Sequence, residues 1–214
     1  MIAKKVKHKL LLFSALSLSV LTGFIFSEDD PPKGNQRAFY ECSEPMDIDS
    51  KLIKRKAGEV YFQFNTKQLL TKEEVKVHDF GWLNESPENY FVSYLVNTTD
   101  KTLNAKRQDG SLIMIQEAMD EEGEWQPIEY WVYSGCGNSY FSPLALEPEK
   151  CIMVPIKKYT GSFKTKIRLK CNTGKNGLFY SQSFSASIDK AQFQREDDPV
   201  NGILYHGPAN YLDE

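Results

Sequence analysis

Polar and apolar residues alternate most regularly between Phe163 and Cys171. There Phe163, Thr165, Ile167, Leu169 and Cys171 fall on one side and Lys164, Lys166, Arg168 and Lys170 on the other. A period of two puts one side on a core and the other in water, so the pattern predicts a half-buried β-strand. Upstream lie an apolar run, Cys151 to Ile156, a Tyr159-Thr160-Gly161 turn, and a small-residue loop from Ser134 to Ser139. Val60, Phe62 and Phe64 alternate with Glu59, Tyr61 and Gln63 in a first strand, and Tyr90 to Asn97 is rich in aromatic and β-branched residues. Between these two, Leu69 to Glu74 reads as a turn or short helical piece, and Val75 with Val77 as a further strand. Leu112 to Met119, Ile128 to Tyr133 and Leu178 to Ile188 complete the strands; in the last, Tyr180, Gln182, Phe184, Ala186 and Ile188 share a face.

Turn signals separate these runs: Asp109-Gly110, the acidic hairpin Asp120 to Glu124, and Asn172 to Gly177. No long segment of period 3.6 intervenes. The spacing predicts an all-β chain, an antiparallel β-sandwich of about eight strands of immunoglobulin-like or fibronectin-like type, over residues 57–190. Residues 28–56 open with acids and prolines and read as a tether, and residues 191–214 as an irregular C-terminal tail.

Residues 1–27 change the picture of where the chain works. Lys4, Lys5, Lys7 and Lys9 precede an uncharged apolar run from Leu10 to Phe26, the pattern of a signal peptide or signal anchor. The run is 17 residues long, above an ordinary signal core and below the roughly 20 of a spanning helix, so cleavage and retention as a single membrane anchor both fit. Either outcome places the remainder outside the cytoplasm, in the periplasm, at the cell surface or secreted. Removing the four lysines takes the net charge from −3 to −7, which disfavours nucleic acid as a partner. All four cysteines, Cys42, Cys136, Cys151 and Cys171, lie in the exported part, and an even number there predicts two disulfides. In a hairpin centred on Gly161, Cys151 and Cys171 stand ten residues to either side and face each other, leaving Cys42 for Cys136. If the two strands belong to different sheets, Cys136 with Cys171 is the better pair.

A resemblance adds to this reading. Trp131, the string Ser134-Gly135-Cys136-Gly137-Asn138-Ser139-Tyr140, Leu146-Glu147-Pro148, Tyr159 to Arg168, Tyr180-Ser181 and Ile188 to Phe193 together resemble a family of uncharacterised secreted proteins from Bacteroidetes-type bacteria. The resemblance covers roughly residues 90–195 and implies an immunoglobulin-like β-sandwich outside the cytoplasm. It carries no catalytic residues to transfer. The antibody pattern itself is not matched, since Leu169 stands where a Tyr would precede the second cysteine.

Candidate chemistry is sparse. Beyond the targeting segment the histidines are His78 and His206, neither in a catalytic spacing, and Gly135-Cys136-Gly137 matches neither a serine elbow nor a phosphate loop. A thiol-dependent enzyme centred on Cys136 with His206 is the enzymatic alternative; the leading expectation is a non-enzymatic module without cofactor. No CxxC or HxxxH suggests zinc, and Asp120, Glu121, Glu122 and Glu124 lack a calcium-loop pattern, reading instead as a solvated tip. Trp125 and Trp131 are the residues singled out for ligand binding, Trp125 as an aromatic platform for a sugar ring or peptide. Asn97-Thr98-Thr99 and Asn84-Glu85-Ser86 match a glycosylation triplet that carries little weight in a bacterial chain. The expected activity is binding of a protein or glycan partner in the cell envelope, with a carbohydrate-binding module as the nearest variant.

Overall fold

The computed structural model describes residues 36–81, 83, 85–131, 140–173 and 177–194. In chain order these contain β1 (Gln36–Arg37), β2 (Met46–Asp47), β3 (Val60–Leu69), α1 (Lys72–Val77), β4 (Tyr90–Asn97), β5 (Leu103–Ala105), β6 (Arg107–Gln108), β7 (Ser111–Leu112) and β8 (Met114–Met119). There follow β9 (Trp125–Pro127), β10 (Glu129–Tyr130), β11 (Leu144–Leu146), β12 (Lys150–Lys157), β13 (Phe163–Asn172), β14 (Leu178–Tyr180) and β15 (Phe184–Ile188). The fold is all-β with antiparallel sheets. A four-stranded sheet runs β2-β12-β4-β3 and a five-stranded sheet runs β14-β13-β8-β9, with β15 also on β13; β1 with β10, β5 with β11 and β6 with β7 form two-stranded pairs. Among the described pairs, β1 with β10 is parallel.

The two sheets share a core. Phe62, Phe91, Leu95, Ile152, Val154 and Ile156 from the first meet Met114, Leu169 and Cys171 from the second. The first sheet is covered on its other side as well: Val92, Tyr94, Val96, Cys151 and Met153 pack with Ile53, Leu70 and Phe80. That double cover explains why all eight residues of β4 are buried and why its sequence shows no polar alternation. In β13 the alternation predicted from Phe163 onward holds, with Ile167, Leu169 and Cys171 buried and Lys164 and Lys166 exposed. Lys170 departs from it, buried beside Glu117.

Four expectations are corrected. Val75 and Val77 lie in α1, not a strand: Thr71 and Glu74 form a reciprocal capping box that satisfies the first turn of the helix. Leu178 to Ile188 is not one strand, because Ser181 to Ser183 separates β14 from β15. Tyr180 consequently faces Lys170 while Phe184 faces Ile167, so the two side chains stand on opposite faces. The hairpin of Cys151 with Cys171 does not form. Both edges of β12 are engaged, by β4 opposite Val96 and by β2 opposite Met46, and β13 pairs in the other sheet. Finally, residues 36–56, expected within the tether, pack on the sheets through β1, β2 and the buried Ala38, Tyr40 and Ile53. Two-residue strands are too short to leave a period in the sequence.

Candidate functional site

The outward face of β13 and its neighbours carries the most organised exposed chemistry. Pairing of Arg168 with Glu117, and of Lys170 with Tyr180, brings these residues onto one face of the sheet with Trp125 on the adjoining β9. The guanidinium of Arg168 lies 4.4 Å from the ring centre of Trp125 and 4.3 Å from that of Tyr180. Its Nε and Nη2 both donate to Glu117 Oε2, at 2.8 and 2.7 Å, and Lys170 Nζ stands 3.8 Å from Glu117 Oε1. Glu117 is buried, so two cations neutralise a carboxylate that would otherwise be costly to desolvate. The result is a braced surface: a partly exposed Trp125, an exposed Tyr180, and a planar cation held between charge and π contacts. Lys166 and Lys164 continue the basic line along the same strand, opposite Ser185 and Ser187.

A second polar cluster lies inside, and no spacing in the sequence pointed to it. Glu129 is buried. Its Oε2 accepts from the Tyr40 hydroxyl and, at 2.7 Å, from the backbone N–H of Gln116; its Oε1 accepts from the Tyr159 hydroxyl at 2.7 Å and from Gln116 Nε2 at 3.1 Å. Burial raises the Glu129 carboxyl above the ordinary range, and the four donors oppose that rise. The Tyr40 and Tyr159 hydroxyls are held well above the ordinary phenol range, by burial first and then by the adjacent carboxylate, so both remain donors. The one visible signal was an acid inside the apolar run Ile128 to Tyr133.

The other sequence candidates scatter. Trp131 is 6% exposed and belongs to the main core. Cys42, Cys151 and Cys171 carry free thiols, which corrects the expectation of two disulfides built on these positions. Burial pushes Cys42 and Cys151 up to about 11 and Cys171 to about 12, leaving almost no thiolate at neutral pH. Cys136 and His206, the pair of the thiol-enzyme alternative, lie outside the described residues, as does Asn84. Asn97 is wholly buried; its Nδ2 donates to the carbonyls of Lys101 and Leu146, both at 2.8 Å, so the triplet it begins is no glycan acceptor. In the acidic tip, Asp120 Oδ1 accepts from the backbone N–H groups of Glu122 and Glu124 and Oδ2 from Gln126 Nε2, an arrangement that builds the hairpin.

Comparison of the chain with family models, with curated proteins and with solved structures gives no match.

Proposed function

We propose that the chain is a non-enzymatic exported module of the cell envelope or surface that binds a protein or glycan partner through the outward face of its five-stranded sheet. The observation that carries this reading is the braced Trp125, Arg168 and Tyr180 cluster continued by the exposed Lys166 and Lys164. A rigid face of this kind gives up little side-chain freedom on contact, and its aromatic and guanidinium groups are those that dominate binding energy in interfaces. The rest of the chain is acidic overall, so the basic strip orients an approaching anionic surface. Export rests on the basic and apolar order of residues 1–27, and the two facing sheets are read as an immunoglobulin-like or fibronectin-like sandwich, as in the secreted family the sequence resembles. The protonated thiols of the half-buried Cys42 and the buried Cys151 and Cys171 favour a structural use of cysteine over nucleophilic chemistry at these positions.

The test is site-specific photocrosslinking in the envelope of the native host. A photoreactive group at Lys166 is expected to give a discrete adduct that a group at Lys51, on the far side of the other sheet's cover, does not. Equal labelling from both positions, or recovery of the chain in the cytoplasmic fraction, overturns the reading. Trp125 and Tyr180, both set against Arg168, also favour a carbohydrate-binding module: retention on insoluble polysaccharide, lost in Trp125→Ala, selects a glycan as the partner.

A further inference from the structure

The strand β15 forms an outer edge of the five-stranded sheet, and its backbone is open there. Leu169 of β13 gives its N–H to Ser181 Oγ at 2.9 Å and accepts from the Ser181 N–H at 3.0 Å, so its backbone groups face the side of β13 that β14 and β15 occupy. Alternation along β13 turns Ile167, Thr165 and Phe163 the same way, and these stand opposite Phe184, Ala186 and Ile188. Ser185 and Ser187 consequently point their N–H and C=O groups away from β13. Among the described residues nothing hydrogen-bonds to either of them on that side.

Sheet edges are ordinarily blunted by lysine, proline, a bulge or a covering segment. β15 reads Phe-Ser-Ala-Ser-Ile in unbroken register and has none of the first three. The other outer strands differ: Gln182 Nε2 donates to the Phe62 carbonyl on β3, and β9 ends in Pro127. Open space also borders β15, a groove of about 620 Å³ lined by Lys164 and Lys166 and a cavity of about 280 Å³ lined by Phe91 and Ile167. Ser185, Ala186 and Ser187 line both, although successive strand residues point to opposite faces, so the two spaces meet along the edge.

Charge selects what can pair there. Lys164 and Lys166 stand opposite Ser187 and Ser185 on the outward face, and neither ammonium has a carboxylate partner among the described residues. An added strand would lie two interstrand steps, about 9.6 Å, from β13, and the short serines between leave the lysine stems room to reach over. Asp120 also borders the groove, but its oxygens are held by the hairpin N–H groups and Gln126. A second copy of the chain, paired edge to edge, would bring like charges together. Acidic side chains two residues apart, on one face of an extended segment, would instead be matched.

We propose that the open edge of β15 captures an extended segment of a partner protein as an added antiparallel β-strand, its main chain bonded to Ser185 and Ser187 and its acidic side chains, two residues apart, paired with Lys164 and Lys166. Main-chain bonds give such a contact its affinity and the alternate side chains its selectivity. The inference rests on the reading of the outward face as a partner surface and names that partner's chemistry.

The full-length chain is titrated into three dye-labelled heptapeptides, followed by fluorescence anisotropy: alternating glutamate and valine, the same with lysine for glutamate, and the glutamate peptide N-methylated at each glutamate. Saturable binding is expected for the first, and binding at least about tenfold weaker for the other two, since charge contacts or several hydrogen bonds are lost at once. Ser187→Pro removes an edge N–H and leaves the β13 ladder intact, and is expected to weaken the glutamate peptide by a similar factor. Lys164→Glu with Lys166→Glu should reverse the preference toward the lysine peptide. No saturable binding, an N-methylated peptide that binds as well, undiminished affinity in a folded Ser187→Pro, or an unreversed preference in the folded double variant overturns the inference; should the variants not fold, the N-methylated peptide on the native chain decides alone. A dimer in sedimentation that Ser187→Pro dissolves, without peptide binding, overturns it in favour of a second copy. A crosslinked adduct from Lys166 in the envelope without peptide binding overturns this inference and leaves the reading of the face standing, whereas peptide binding without an adduct keeps the edge site and removes only the envelope partner.

Discussion

Gly161 lies against the backbone of Ile188: a Cβ on the glycine would stand 2.1 Å from the Ile188 carbonyl carbon and 2.3 Å from the next amide nitrogen. The turn between β12 and β13 therefore closes directly on the end of β15. Backbone cannot move aside as a flexible side chain can. Gly161→Ala is expected to lower stability by about 3 kcal/mol, the upper part of the usual range for overpacking, with a fall in Tm of about 2–4 °C for each kcal/mol. A thermal melt within 2 °C of the native chain would show that this contact is not required.

The Glu129 cluster yields a pH signature with a definite sign. Its folded carboxyl is raised above the ordinary value of 4.5, so between those two values the folded state keeps a proton that the unfolded state has lost. The stability this gives is fully present below pH 4.5 and is lost as pH rises through the folded value. The margin of the native chain over Glu129→Gln should therefore shrink from pH 4.5 upward. Glu129→Leu should be destabilised at every pH, because it strands the Tyr40 and Tyr159 hydroxyls and the Gln116 amide at about 1–3 kcal/mol for each unsatisfied group. Denaturant titrations of the three chains from pH 4 to 8 check both statements; a margin that grows with pH would contradict the assigned direction.

The capping box of α1 offers a smaller test. The N–H of Glu74 donates to Thr71 Oγ1 at 3.1 Å, and the N–H of Thr71 donates back to Glu74 Oε2 at 2.8 Å. Thr71→Ala is expected to cost about 1 kcal/mol and to raise amide hydrogen exchange in Lys72 to Val77 first. Unchanged exchange there would mean that tertiary contacts alone hold the helix.

That helix also marks where reading the sequence stops. Thr71-Lys72-Glu73-Glu74 is a helix-start signal, but Val75 and Val77 on alternate positions outweighed it, and a six-residue helix is too short for its own period to correct the choice. The strands that did emerge from the sequence, Tyr90 to Asn97, Cys151 to Ile156 and Phe163 to Cys171, are long, and their local pattern alone marks them as strands. Pairing is a different matter. Nothing near Cys151 or Cys171 in the chain says that β4 and β2 occupy both edges of β12. Trp125 was legible as a surface aromatic beside a hairpin. Its partner Arg168 was legible only as one of four basic residues on a strand, because the contact spans a sheet register that the turn residues do not encode.

The cysteines give a chemical test of the same point. With Cys151 and Cys171 in separate clusters and pushed to about 11 and 12 by burial, iodoacetamide at pH 8 should leave both unmodified in the native chain and alkylate both on unfolding. A peptide containing a Cys151 to Cys171 disulfide in a non-reducing map, or rapid native labelling of either, would contradict this placement.

The final prediction concerns the outward face, where the energetic order of contacts around Arg168 decides whether Trp125 is available to a partner. Arg168 gives two donors to a buried carboxylate but meets the Trp125 ring only through its π face. Double-mutant cycles should therefore give a coupling of about 0.5–1 kcal/mol for Trp125→Ala with Arg168→Ala, and a larger one for Glu117→Gln with Arg168→Ala. Arg168→Lys keeps the charge and loses the fork, so it should recover only part of the Glu117 coupling. If Trp125 proves the stronger partner, the ring is committed to the fold and Trp125→Ala will unsettle the sheet. If Glu117 is the stronger, as the geometry indicates, Trp125→Ala stays folded and its effect on binding can be read without ambiguity.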